Sequence, residues 1–350
     1  VAFSNRSRVE QLLDQWEPEI RNAFLDAIDD VRSNVTFKVI VEKLERGDID
    51  GAISALQLDP EAFADFEDAL FQAYVDGGRS EVENLPKLRD RDGNRVIFRF
   101  GARDLMAEGE LRRHGAEMVT RITDDMKATA RARMVEGLRS GQNPRTTALD
   151  VIGRINRATG KREGGILGLT VPQERFVASA RQELLSGDPA ALRNYLARAR
   201  RDRRFDAAVR KAIADEKPVP TDLASRAVGR YADRLLQLRG EMVARTETLT
   251  VLAKARDDAI RQQINAGKID ALDVTKTWRS AGDDRVRHTH RALNGKTVNI
   301  DGRFQSPSGA FLAYPGDPSA PTSETVGCRC HVSYSVDYGA SVVRRFRGAA

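Results

Sequence analysis

A chain of 350 residues with 41% hydrophobic, 31% charged and 6% aromatic residues has room for two or three domains, and is too polar for one thick globular core. Its two cysteines, spaced as CxC, exclude a disulfide framework, and the lack of a signal-peptide core or of any apolar run near about 18 residues argues against export or a membrane anchor. The formal net charge of +6 is concentrated late, because 11 of the 57 Lys/Arg but 6 of the 51 Asp/Glu follow residue 273.

Residues 8–32 carry Leu12, Leu13, Trp16, Ile20, Phe24, Ile28 and Val31 at helical spacing, with Pro18 as a candidate start. A second helix is expected over 36–44, ended by Gly47. Asp48 is placed to cap a third, and Asp59-Pro60 to open a fourth that stops at Gly77-Gly78. Residues 85–101 break this pattern and read as a short hairpin around Asp92-Gly93. Helix resumes near Arg103, with Val119, Ile122, Met126, Ala130, Met134 and Leu138 as its apolar stripe, and another helix starts at Thr146 or Thr147. Residues 159–171 are glycine-rich and predict a mobile loop. They lack both the GKS/T of a P-loop and the GxGxxG spacing, which argues against phosphate binding.

Helices are expected from Pro172 and from Asp188-Pro189. The second runs into a stretch of five arginines within 198–204, read as a solvated helix face. After the rigid connector 217–220 comes the longest helix, over 221–266. There Ala224, Val228, Tyr231, Leu235, Leu238 and Met242 form an a/d seam that suits a bundle or a partner, and Gly240 is a candidate kink. From Val274 the composition turns to Pro, Gly, Asn, Ser and Thr with short strand-like pieces. The expected fold is mainly α with a small, loop-rich α+β module at the C-terminal end. The expected organisation is a helical region over 1–101, a second over 102–220, the long helix over 221–273, the module over 274–335 and a basic tail over 336–350. In the tail, Arg344, Arg345 and Arg347 are candidate contacts with DNA phosphates.

Three of the four histidines and both cysteines lie between 288 and 331. In extended chain, residues i and i+2 face one side, so His288/His290 and Cys328/Cys330 can each present two groups to one point. His290, Cys328, Cys330 and His331, with His288 as the alternative, form a candidate zinc site. The other reading makes the cysteines small core residues and His290 a hydrogen-bonded core histidine. Asp283, Asp284, Arg285 and Arg287 are either catalytic or an ion-pair network that orders a loop. The network is favoured, because flanking arginines hold a carboxylate ionised and make it a poor acid. No GxSxG or HExxH is present, and the pairing of Cys328 or Cys330 with His290 shows no third group to orient the ring, so no catalysis is expected.

One ordered set of residues spans roughly 220–335. It runs Ala244-Arg245-Thr246-Glu247-Thr248, Trp278, Asp284-Arg285-Val286-Arg287, His290, Leu293-Asn294-Gly295, Phe304, Tyr314-Pro315-Gly316-Asp317-Pro318 and Cys328-Arg329-Cys330. It resembles the phage head morphogenesis family, the minor head proteins similar to protein F of phage Mu. Gly327 before the Cys-Arg-Cys, and His288, depart from that pattern. The resemblance implies a non-enzymatic minor capsid component in the interior of the phage head. Its implied partners are the portal protein, the major capsid protein, packaged double-stranded DNA and further copies of itself, and its implied tasks are head assembly, DNA packaging or DNA ejection. Two other classes remain open at this point. One is a prophage-encoded, ADP-ribosyltransferase-like toxin using Arg245 and Glu247, against which stands the absence of a Gly-rich nucleotide loop. The other is a free nucleic-acid-binding protein with salt-sensitive affinity.

Overall fold

Helix dominates the computed structural model, which describes residues 5–89, 93–101 and 105–338. Helices α1 (Asn5–Asn34), α2 (Phe37–Glu45), α3 (Ile49–Ser54), α4 (Ala64–Glu83), α5 (Leu105–Arg139) and α6 (Pro144–Ile152) come first. A small hairpin of β1 (Arg154–Ile155) and β2 (Arg162–Glu163) leads to α7 (Val171–Leu185), α8 (Pro189–Ala197), α9 (Asp206–Asp215) and the 45-residue α10 (Thr221–Asn265). Then follow β3 (Val274–Arg279), α11 (His288–Leu293), β4 (Thr297–Asn299), β5 (Phe304–Gln305), β6 (Phe311–Leu312), α12 (Thr322–Thr325) and β7 (His331–Val336). The architecture is mainly α with a small α+β module at the C-terminal end. Among the described residues, no helix is long and apolar enough to cross a membrane.

Side-chain caps set several helix starts. Asp48 accepts the Gly51 N–H, Asp188 accepts those of Ala190 and Ala191, and Thr170 and Gln173 bond reciprocally at the start of α7. Asn143 caps α6 with Pro144 at its first turn, so that helix begins ahead of the expected Thr146 or Thr147. Pro18 lies inside α1 rather than starting it. Asp14 and Pro18 are both exposed, so water can take the carbonyl that a proline leaves unbonded. Gly77 and Gly78 do not end α4. A Cβ on Gly77 would sit 2.9 Å from Leu252 Cδ2, and one on Gly78 would sit 2.3 Å from the Phe100 ring. They are glycine because neighbours approach the helix there. The expected hairpin over 85–101 shows one isolated bridge, Arg89 with Arg95, and Asp92 lies outside the described residues.

The chain folds as two units, one formed by 1–21, 66–115 and 242–350, the other by 22–65 and 116–241. In the second unit, Phe24, Ile28 and Val31 of α1, Met126, Ala130 and Met134 of α5, and Ala224, Val228, Tyr231 and Leu235 of α10 are buried. The α10 seam is therefore covered by the chain itself as far as Leu235, and the helix continues unbroken through Gly240. The glycine-rich stretch is anchored, contrary to the mobile loop expected. Ile166, Leu167 and Leu169 are buried, and the buried Arg32 donates to Gly165 O at 2.9 Å and to Leu167 O. The arginine run is a turn between α8 and α9, not a helix face. Arg198 pairs with Glu183, Arg201 with Asp206 and Arg204 with Asp202. Asp150, buried on α6, receives Arg133 at 2.7 Å, Arg181 at 2.8 Å and Gln142 at 2.9 Å.

In the first unit, β3 is the centre of an antiparallel sheet in the order β4-β3-β7. Alternation along β3 turns Val274, Lys276 and Trp278 to its buried face. Two apolar clusters cover that face. One joins Leu249, Trp278, Val286, Leu293, Phe304, Leu312, Cys328, Cys330 and Val332, with Leu13 packed against it. The other joins Ile260, Ile269, Val274 and Ile300, with Leu85 and Phe98 at its edge. The α10 side facing the module is charged as well as apolar. Arg256 pairs with Glu81 at 2.6 Å, both buried. Asp257 receives Arg261 at 2.6 Å and the Tyr334 hydroxyl at 3.0 Å, and the buried Lys276 ammonium lies 3.8 Å away. Burial pulls the Lys276 pKa down, while Asp257 opposes that shift. Gln263 accepts the Arg99 N–H and donates to Arg99 O, which pins the 93–101 segment to α10.

Candidate functional site

Three elements converge on the Trp278 side of the sheet. Helix α11 brings Thr289 and His290, the chain entering β7 brings Cys328 and Cys330, and α12 brings Glu324. His290, Cys328 and Cys330 are 1–3% exposed, and their ligand atoms lie within 4.8 Å of one another. His290 Nδ1 stands 3.3 Å from Cys328 Sγ and 3.5 Å from Cys330 Sγ. Trp278 holds the imidazole edge-on, with ring centroids 5.1 Å apart. On the other side of the ring, Nε2 is 2.8 Å from Glu324 Oε2. The buried Glu324 carboxylate accepts hydroxyls from Ser308 at 2.6 Å, Thr289 at 3.1 Å and Ser306 at 3.2 Å. Burial alone would raise its pKa. The Ser308 and Thr289 hydroxyls and the His290 ring outweigh burial and hold it below the usual carboxylate range.

The two thiols share one interaction. Cys328 is pushed well down, first by the Cys330 thiol donating to it and then by His290, with burial opposing. Cys330 is pushed up by Cys328 beside it and by burial, while the Trp278 indole N–H and the Ala281 amide act the other way. One thiolate at a time is the state this pocket supports without a cation.

These three residues can hold a metal ion. Zinc with tetrahedral S and N ligands sets sulfur–nitrogen edges near about 3.6 Å, which the two distances to Nδ1 approach. Among the described residues no fourth His, Cys, Asp or Glu joins the three. His288 is exposed at the start of α11. His331 pairs with Arg279 across the sheet, so alternation turns it away from the face that Trp278 and Val332 share, and it stands outside the cluster. Glu324 is the group that sequence reasoning missed. Its Oε2 lies beside His290 Nε2, yet it sits in a polar Thr-Ser-Glu-Thr segment with no periodic or motif signal, and only the packing of α12 against α11 reveals it. With Cys328, His290 and Glu324 all buried, the arrangement offers no surface to a substrate.

Several of the remaining motif residues are engaged in packing. Arg245 donates to both carboxylate oxygens of Glu17 at 3.2 Å, and Glu247 Oε2 lies 2.7 Å from His114 Nε2. Asp283, rather than Asp284, organises the β3–α11 loop. It takes the Arg285 amide at 3.1 Å and the Arg329 guanidinium, and that guanidinium holds its carboxyl below the usual range. Asp284 and Arg285 are exposed, and Arg287 donates to Val326 O. Pro315, Gly316 and Asp317 form a buried turn. Asp317 accepts the Ala313 amide at 2.7 Å and the Ser319 amide at 2.9 Å, and Thr250 of α10 donates to Gly316 O at 3.2 Å. Arg344, Arg345 and Arg347 lie outside the described residues.

Residues 208–333, which hold α10, this turn and the Cys-Arg-Cys segment, match the family model described as Phage Mu protein F like protein. This segment is therefore similar to the phage head morphogenesis proteins. It is 33% identical over 109 residues to minor head protein GP7 of Bacillus phage SPP1, a match covering 31% of this chain and 33% of that one. It is 31% identical over 102 residues to the uncharacterized protein YqbB of Bacillus subtilis strain 168, covering 28% and 31%. The match therefore spans about a third of the length of each relative. No solved structure matches the chain at a significant level. In this chain the matched segment draws on residues far outside itself, since Arg245, Glu247 and Arg256 find their partners at Glu17, His114 and Glu81.

Proposed function

We propose that this chain is a minor capsid protein of a tailed phage or phage-like particle. In this reading it binds the portal protein and the inner capsid near the portal. It assists head assembly, DNA packaging or DNA ejection, and catalyses no reaction itself. The observation that carries the reading is the match of residues 208–333 to the Mu F-like family together with the similarity to a protein named as a minor head protein. The packing of the motif supports a structural role. Arg245 and Glu247, which an ADP-ribosyltransferase would present in an open cleft, are committed to Glu17 and His114. The major capsid protein, further copies of the chain and the packaged double-stranded DNA are its other expected neighbours, with Arg344, Arg345 and Arg347 as the proposed phosphate contacts. Zinc is the metal we assign to His290, Cys328 and Cys330, because two thiolates and an imidazole are a donor set it favours.

The test is quantitative mass spectrometry of nuclease-treated, gradient-purified particles from a host that makes this protein. A fixed, low ratio to the major capsid protein supports the reading, and so does presence in procapsids followed by loss from mature heads. Absence from both overturns it.

A further inference from the structure

The assignment of zinc leaves open how the imidazole binds and what holds it, and two features of the pocket answer this. The first is the tautomer. A neutral imidazole has one N–H and one lone pair, and a carboxylate beside Nε2 places the N–H there. The lone pair is then on Nδ1, which faces both sulfurs at 3.3 and 3.5 Å. A lone pair and two sulfurs turned toward one point are a donor set that a cation between them would complete. The second feature is a set of donors waiting for thiolates. The Cys330 amide is 3.4 Å from Cys328 Sγ, and the Trp278 indole N–H lies buried beside Cys330 with no well-formed hydrogen bond. Nε2 is likewise buried and makes no well-formed hydrogen bond, although Glu324 Oε2 lies 2.8 Å away. Charge drawn onto the sulfurs, and a ring drawn toward a metal, would give the Trp278 and His290 N–H groups an acceptor and strengthen the bond that the Cys330 amide already makes to Cys328 Sγ.

We propose that Glu324 is the positioning carboxylate of a zinc centre in which His290 binds through Nδ1 beside the thiolates of Cys328 and Cys330, with the fourth position held by a non-protein ligand. The inference rests on the zinc reading. It adds the ligating atom and the residue that sets it. Ser306, Ser308 and Thr289 fix the carboxylate by their hydroxyls, so the relay runs from three side-chain hydroxyls through Glu324 and His290 to the metal.

The experiment uses the full chain, stripped of metal with a chelator and titrated with zinc against a competing indicator. Bound metal is counted by elemental analysis, and the ligands are read by X-ray absorption. One zinc per chain with two sulfur and one imidazole ligands is expected. Glu324→Gln should keep that stoichiometry, bind about 10–100-fold more weakly and shift the visible ligand-field bands of the cobalt(II)-substituted protein. His288→Ala and His331→Ala should bind like the parent. A parent that takes up no zinc overturns the zinc reading itself. A parent that binds zinc while Glu324→Gln matches it in affinity and cobalt spectrum overturns the role of Glu324 alone. If Glu324→Gln does not fold, Ser308→Ala takes its place, with weakened binding in support and unchanged binding against.

Discussion

Replacing Arg256 by alanine is expected to unfold the module-bearing unit well before the rest of the chain. Arg256 and Glu81 are 5% and 6% exposed, and Nε and Oε2 stand 2.6 Å apart. At an effective dielectric of about 20 their attraction is about 6 kcal/mol, set against several kcal/mol of lost hydration for each ion. The pair as a whole is therefore worth little, but losing one partner strands the other. Arg256→Ala leaves the Glu81 carboxylate buried without its cation and removes the guanidinium from above the Tyr334 ring. The expected cost is about 3–5 kcal/mol. For a unit of this size that lowers the midpoint by roughly 6–20 °C. Both tryptophans, Trp16 and Trp278, lie in this unit, so selectively excited tryptophan fluorescence follows it alone while far-UV circular dichroism follows both units. The double variant Glu81→Leu/Arg256→Met, which removes both charges and keeps the bulk, should recover most of the loss. A single variant within about 1 kcal/mol of the parent would refute this reasoning, as would a double variant that simply adds two losses.

Asp150→Asn should destabilise the second unit by roughly 3–5 kcal/mol near neutral pH, because Arg133 and Arg181 keep their charge and lose their counterion. Burial works against the Asp150 carboxylate, but Arg181 and Arg133 outweigh it and hold its pKa below 3.8. A depressed carboxylate stabilises the fold above its unfolded pKa and loses that stability as pH falls through the folded one. The gap between parent and variant, read by circular dichroism, should therefore close below pH 3.8 and stay constant above about pH 5. Gly316→Ala should cost about 1–3 kcal/mol in the fluorescence transition. Gly316 has φ +82°, and a Cβ there would lie 3.0 Å from Thr250 Oγ1 and 3.2 Å from Thr250 Cα. An unchanged transition would show that the turn can leave α10 freely.

The local order of the chain was legible because its signals are local. Helical spacing marked α1, α5 and α10, the Asp48 and Asp188 caps marked helix starts, and composition marked the change of fold class near Val274. The family pattern and the grouping of His290 with Cys328 and Cys330 could also be read, since Cys328 and Cys330 are close in sequence and His290 belongs to a recognisable series. Packing decided the rest. Gly77 and Gly78 are punctuation in sequence and close-approach surfaces in the fold, because Leu252 and Phe100 arrive from distant parts of the chain. The glycine-rich stretch reads as loose until Arg32, more than a hundred residues away, takes its carbonyls. His331 sits next to Cys330 yet faces the other way, because a strand alternates sides and only pairing with Arg279 fixes which side is which. Glu324 carries no signal of its own. Its role comes from three hydroxyls and one imidazole that meet only when α11, α12 and the β5–β6 turn are packed together, and a sequence pattern with period 2 or 3.6 cannot encode a meeting of that kind.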